Sequence, residues 1–233
     1  MISEIVSSAS RQKRSINGVI VQDEDYPYVV SLHNNLIHYF TSGGTMITRR
    51  LVLTAAHCIV LTSHVRVFRH AESMRQNYTI YRKIIHPSFS NSPDNVPSQD
   101  IGLLVLNELV EDARVIQLPA RNLEVPAGVN ATAFGWGRTE QGSYSKDFRK
   151  VDLPITYTEP CAMKDEHESR WICADSRNAD TCDGDSGGPL VWDNFIVGIV
   201  SWGVRNCATG GPSVFTKVAA YRDWIDKYTS EYE

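Results

Sequence analysis

Gly184-Asp185-Ser186-Gly187-Gly188-Pro189 sets a serine among glycines, just ahead of the apolar run Leu190–Trp192. Glycines on both sides let the main chain turn sharply, expose the hydroxyl and aim backbone amides at a charge developing beside it. A serine hydroxyl is almost wholly un-ionised at neutral pH. An imidazole must take its proton as it attacks, and a carboxylate must hold that imidazole in the useful tautomer. Thr54-Ala55-Ala56-His57-Cys58 and Asp100-Ile101-Gly102-Leu103-Leu104 supply both groups. Ser186 is therefore the candidate nucleophile, His57 the base and Asp100 the orienting acid.

Gly184–Gly188 also satisfies the G-x-S-x-G elbow of α/β-hydrolases. That arrangement needs the order serine, acid, histidine on alternating strands and helices. Here the order is His57, Asp100, Ser186, and the pattern between them lacks helical crossovers, so the elbow reading fails.

The 233 residues can bury a sizeable core, and the apolar fraction of 42% is ordinary for a globular protein. A net charge of −4 with interspersed signs gives no reason to expect nucleic acid or an anionic membrane as partner. Apolar stretches such as Phe195–Val200 are strand-length, too short to span a bilayer. The leader Met1–Ser10 carries Glu4 and no adequate apolar run. It is either the tail of a truncated secretory signal or a gene-model start. Asn77-Tyr78-Thr79 and Asn130-Ala131-Thr132 fit the N-glycosylation pattern, which matters only after secretion.

Short apolar or alternating segments fill most of the remaining chain: Tyr28–Leu32, Thr45–Ile47, Leu51–Thr54, Val65–Phe68, Tyr78–Ile85 and Ile101–Leu106. A second set is Ala131–Phe134, Val151–Ile155, Leu190–Trp192, Phe195–Trp202 and Val214–Val218. Many short strands punctuated by turn residues predict an all-β sandwich or barrel. Asn107–Gly128 reads as the connection between two such halves. Val218, Tyr221, Trp224, Ile225 and Tyr228 share one face at helical spacing, predicting a terminal helix packed on a barrel.

From about Ser15 to the terminal helix the chain resembles the chymotrypsin-like serine proteases, trypsin-like subgroup, on the three strings quoted above. The resemblance implies two antiparallel six-stranded Greek-key barrels packed together, with a C-terminal helix and catalysis in the cleft between them. It implies a leader over 1–14, an N-terminal barrel over 15–115 and a C-terminal barrel with the helix over 116–233. The expected activity is serine endopeptidase hydrolysis through an acyl-enzyme. The amides of Gly184 and Ser186 would form the oxyanion hole. No cofactor or metal is implied, and the segment between Phe68 and Tyr78 has no oxygen-ligand array suited to calcium. Protein or peptide substrates, protein inhibitors and an activating protease are the expected partners of a secreted monomer.

By the same resemblance Asp180, six residues before Ser186, lies at the base of the primary specificity pocket and calls for Arg or Lys. Ser201-Trp202-Gly203 forms the pocket wall, whose main chain pairs with an extended peptide. Thr181 adds a hydroxyl to the pocket. Ser213 stands where trypsin-like pockets usually have glycine, so it narrows the pocket or hydrogen-bonds Asp180. The disulfides implied are Cys161–Cys173 and Cys182–Cys207. The fifth cysteine, Cys58, is then an inert buried thiol or an accessible site for intermolecular pairing, since Ser42 replaces its expected partner.

Arg11-Gln12-Lys13-Arg14 is either a solvated charge cluster or a processing site. In the resembled family, cleavage frees an apolar N-terminus whose ammonium pairs with the aspartate before the catalytic serine, here Asp185. Counting back from Tyr26-Pro27-Tyr28 through Gly18, cleavage after Arg14 starts the chain at Ser15, where isoleucine or valine is expected. A noncatalytic or activation-impaired homologue that uses the cleft for binding is the competing reading.

Overall fold

The structure, a computed structural model, describes residues 18–35, 39–91, 96–139, 143–157, 170–177, 179–203, 207 and 211–232. A two-residue strand, β1 (Val19–Ile20), precedes the first barrel. That barrel contains β2 (Val29–Asn34), β3 (Tyr39–Met46), β4 (Leu51–Thr54), β5 (His64–Arg69) and β6 (Met74–Ile85). A small antiparallel pair, β7 (Ser90–Asn91) and β8 (Pro97–Ser98), follows before the sixth barrel strand, β9 (Gly102–Leu106). The barrel closes in the order β2-β3-β4-β9-β6-β5.

The second barrel contains β10 (Asn130–Gly135), β11 (Arg149–Thr156), β12 (Trp171–Asp175), β13 (Pro189–Trp192), β14 (Phe195–Gly203) and β15 (Pro212–Lys217). Its sheet runs β11-β10-β13-β14-β15-β12 and closes through a further β11–β12 pairing, with β1 added on the outer edge of β11. Both six-stranded antiparallel barrels thus share one circular connectivity, first-second-third-sixth-fifth-fourth. The segment over 107–128 joins them with almost no regular structure, touching β14 where Ile196 N–H donates to the Gln117 carbonyl at 3.1 Å.

Local chemistry explains the main elements. Leu51, Val52 and Leu53 of β4 and Leu103, Leu104 and Val105 of β9 are fully buried, because both strands are covered on each face. Asp193 and Asn194 take left-handed φ of 49° and 64°, the two-residue turn that matches the right-handed twist of hairpin β13–β14. The terminal stripe divides in two: Val218–Tyr221 forms a 3₁₀ turn and Arg222–Thr229 the α-helix. Val218, Tyr221 and Ile225 from this segment pack into the core of the first barrel. The terminal helix therefore straps the N-terminal half, while the first described strand extends the C-terminal sheet.

Besides the two-residue strands β1, β7 and β8, two elements had no clear signal in the sequence. β12 is a five-residue strand, Trp171-Ile-Cys-Ala-Asp, whose pairing with β15 over five residues gives it order. A one-turn helix, Ala56–Ile59, follows β4 and is too short to show helical periodicity. We label it α1 and the terminal helix α2.

Candidate active site

Ala55 and Ala56 are fully buried at the start of α1, and their small side chains let the turn sit against the barrel. On the far side α1 packs onto β9 at Gly102, where a Cβ would stand 2.2 Å from the Ile59 side chain. This close approach brings His57 beside Asp100, two residues upstream of Gly102. The His57 backbone N–H donates to Asp100 Oδ1 at 3.0 Å, and the ring Nδ1–H donates to Oδ2 at 2.7 Å. Asp100 has no exposed surface, while His57 is half-buried.

Such a buried carboxylate needs compensation. It comes from the other barrel: Ser201 of β14 donates to Asp100 Oδ2 at 2.6 Å, and Thr216 of β15 donates to the Asp100 carbonyl at 2.8 Å. A bulge between Val200 and Trp202 leaves Ser201 out of the strand register and turned toward the acid. Burial, the largest single influence, disfavours the His57 imidazolium, but the hydrogen bonds to Asp100 and Cys58 and the electrostatics of both groups together outweigh it and hold the ring above its ordinary pKa. The pair thus raises the basicity of the ring and leaves Nε2 outside this contact.

The Ser186 turn is fixed by its glycines. Gly184 and Gly187 adopt φ of +100° and +78°, conformations that L side chains rarely take. At Gly187 a Cβ would also lie 2.3 Å from Thr54 Oγ1 and 3.2 Å from Cys58 Sγ. The turn therefore lies directly on the segment carrying His57. Gly43 N–H of β3 donates to the Ser186 carbonyl at 2.8 Å, fastening the turn to the first barrel. Ser186 itself is half-buried. Among the described residues the amides of Gly184 and Ser186 donate no hydrogen bond, the condition that an oxyanion would exploit.

A sequence profile described as "Trypsin" matches residues 15–225. The chain belongs to the trypsin family. It is 34% identical to a trypsin of Phaedon cochleariae over 88% of this chain and 84% of that protein. It is 31% identical to phenoloxidase-activating factor 1 of Holotrichia diomphalia, over 91% of this chain and 68% of that protein. The solved structure of neuropsin, a serine protease expressed in the limbic system of mouse brain, superposes with a TM-score of 0.80. Identity there is 30%, over 91% of this chain and 99% of that one.

In this trypsin-family chain Asp180 is half-buried between Ala179 and Thr181. Ser213 Oγ donates to Asp180 Oδ1, and Thr181 Oγ1 donates to Ser213 Oγ at 3.4 Å. Ser213 pairs in register with Gly203 on one side and Ala174 on the other, so β14, β15 and β12 frame these three side chains. Among the described residues a Cβ on Gly203 would meet only the Pro212 carbonyl, at 3.8 Å. Trp202 is half-buried, edge-on to Trp171 at 5.8 Å. The Cys182–Cys207 disulfide ties the strand end beyond Gly203 to the Asp180 segment.

Asp185 points inward. Its Oδ1 accepts the Gly137 N–H at 2.7 Å and its Oδ2 the Cys182 N–H at 2.9 Å. Burial pushes its pKa up to about 6 against these amides, with the charges of Asp180 and Asp183 acting in the same direction. Among the described residues it has no cationic partner. A cavity of about 30 Å³ adjoins it, walled by Gly18, Gly137, Lys150 and Asp180.

Cys58 is free and buried. Cys173 is disulfide-bonded. Its expected partner Cys161, with Arg14 and Ser15, lies outside the described residues. Among the described residues no three His, Cys, Asp or Glu side chains converge on a metal position, and no helix is long and apolar enough to cross a membrane.

Sequence reasoning missed Thr216 and gave Ser201 only a place in the substrate-facing wall. The one available hint was a threonine inside the apolar stretch Val214–Val218. Ser201→Ala removes one of two donors to Asp100 Oδ2. A hydrogen bond to a charged group is worth about 1.5–3 kcal/mol, so kcat/KM should fall roughly ten- to hundredfold. The less stabilised carboxylate also strengthens the base, so the acid limb of the pH profile should move to higher pH. An unshifted profile with full activity would remove Ser201 from the positioning role.

Proposed function

We propose that this chain is the zymogen of a serine endopeptidase that hydrolyses peptide bonds after Arg or Lys. The observation that carries the reading is the His57–Asp100 pair, held by side chains of both barrels and lying against the glycine-flanked Ser186 turn. Ser201 also bonds the acid, but the residue is only 5% exposed and its hydroxyl is already committed to Asp100, unsuited to attack a substrate. Half-buried Ser186 suits that role.

In the acylation step Ser186 Oγ bonds to the scissile carbonyl carbon while His57 Nε2 takes its proton. The carbonyl oxygen becomes an oxyanion facing the amides of Gly184 and Ser186. Collapse breaks the C–N bond, and His57 returns the proton to the leaving amine. Water, deprotonated by the same imidazole, then hydrolyses the ester and restores Ser186. A substrate strand pairs with the main chain of Ser201-Trp202-Gly203 and sends its basic side chain toward Asp180.

The zymogen reading rests on Asp185 and the cavity walled by Gly18. Ser15 precedes Gly18 by three residues, so cleavage after Arg14 would free an ammonium within reach of a buried acid that has no cationic partner among the described residues. We take 1–14 as the propeptide, 15–115 and 116–233 as the two halves of one secreted peptidase unit. Proteins or peptides are its substrates, another protease is its activator, and protein inhibitors compete for the cleft.

The deciding experiment is cleavage at Arg14, followed by fluorophosphonate labelling and cleavage-site profiling beside a Ser186→Ala control. The expected result is labelling of the parent alone and cuts after Arg or Lys. Preference for Phe or Leu would overturn the specificity. A folded, processed and unlabelled parent would instead favour an activation-impaired binding homologue, to which the hydroxymethyl group of Ser15 in an apolar slot would contribute.

A further inference from the structure

We infer that Ser213 makes the floor of the pocket select lysine over arginine; the inference rests on the basic-residue reading above. Ser213 is 2% exposed, and its hydroxyl donates to Asp180 Oδ1. Its hydroxymethyl group stands between β15 and the carboxylate, filling depth that a residue without a side chain would leave open. Thr181 Oγ1 donates to Ser213 Oγ in turn, so three side chains form one directional chain of hydrogen bonds ending on the acid.

The two basic side chains meet this floor differently. A guanidinium is planar and binds a carboxylate best through two parallel N–H···O bonds, one to each oxygen. Here one of those oxygens already accepts the Ser213 hydroxyl, whose hydroxymethyl group takes up space beside the carboxylate. Arginine is also the longer side chain and suffers most from a raised floor. A lysine ammonium is compact, with three N–H donors in a tetrahedral array and no planarity to satisfy. It can donate to Asp180 and to the lone pairs of Ser213 Oγ and Thr181 Oγ1 together. The floor therefore offers a cluster of oxygens suited to a point charge.

The test uses the full chain processed at Arg14, with matched peptides ending in Lys, Arg or Phe at the cleaved bond. The parent should favour Lys over Arg by roughly tenfold or more in kcat/KM, the scale on which one small group in a pocket discriminates. Ser213→Gly should move the ratio toward Arg by a similar factor, chiefly by raising turnover of the Arg peptide. Calorimetric binding of n-butylamine and n-propylguanidine to the unmutated protein gives a second measurement, independent of turnover and of whether the variant folds; the amine should bind more tightly. An Arg-preferring parent, an unchanged ratio in Ser213→Gly, or tighter guanidine binding would overturn the inference while leaving the Arg-or-Lys reading intact. Turnover of the Phe peptide alone would remove both.

Discussion

Asp100→Asn is expected to lower kcat of the processed protein about 10⁴-fold without unfolding it, the scale of effect associated with the wrong histidine tautomer in this triad. The reason can be read from the three donors around the acid. Oδ1 accepts the His57 backbone N–H, while Oδ2 accepts His57 Nδ1–H and the Ser201 hydroxyl. Asparagine offers one oxygen and one NH₂. The backbone N–H can only donate, so the amide oxygen must occupy the Oδ1 position. The NH₂ then faces Nδ1 and Ser201, both of which can switch to accepting. Nδ1 loses its proton, Nε2 gains it, and the ring can no longer take a proton from Ser186. Steady-state kinetics across pH 6–10 would check this, with thermal unfolding as the folding control. The double variant with Ser186→Ala should be no slower than Ser186→Ala alone, because the residues act as a unit. Near-parental turnover in Asp100→Asn would take His57 out of the base role.

On the proposed activation, Asp185→Asn should cost the processed enzyme roughly two to four orders of magnitude in active fraction or kcat/KM, since breaking a buried ion pair costs about 3–5 kcal/mol. In the single chain, two backbone amides hold the carboxylate and burial keeps its pKa near 6. On the proposed activation, the ammonium released at Ser15 would pair with this carboxylate and favour its ionised form. Active-site titration before and after cleavage would measure the effect. Ser15→Ile should raise the titratable fraction above the parent's if the serine side chain weakens docking.

The same group predicts a pH signature. In the single chain the folded pKa of Asp185 lies above its ordinary 3.8, so folding binds its proton more tightly. Its contribution to stability is therefore full below about pH 4 and is lost as pH rises to about 6. His33, lowered to about 4 mainly by burial and then by Arg66, acts oppositely, its contribution being lost as pH falls from 6.5 toward 4. The informative quantity is thus the difference between parent and Asp185→Asn. The variant should gain relative stability from pH 4 to 6 in the single chain. If the freed ammonium pairs with Asp185 as proposed and draws its pKa below 3.8, the sign should reverse in the processed form. Parallel pH curves for both proteins in both forms would sink the activation reading.

The sequence on its own determined the chemistry-bearing strings and the class of fold. Ser186 between glycines, His57 after two alanines and Asp100 before an apolar strand are local patterns, because sharp turns and tight packing demand small residues nearby. Alternation and turn residues likewise set most barrel strands, since each short strand hides one or both faces. Only the tertiary structure revealed that the two barrels repeat one connectivity, because a topology depends on strand order and unrelated side chains can fill both cores. It alone turned Ser201 onto Asp100 through a bulge, since bulges follow from register with a partner strand more than a hundred residues from the acid. It alone decided that Ser213 bonds Asp180, and it assigned the last helix to the first barrel. Those contacts join residues far apart in the chain, and no local spacing encodes a distance that only packing sets.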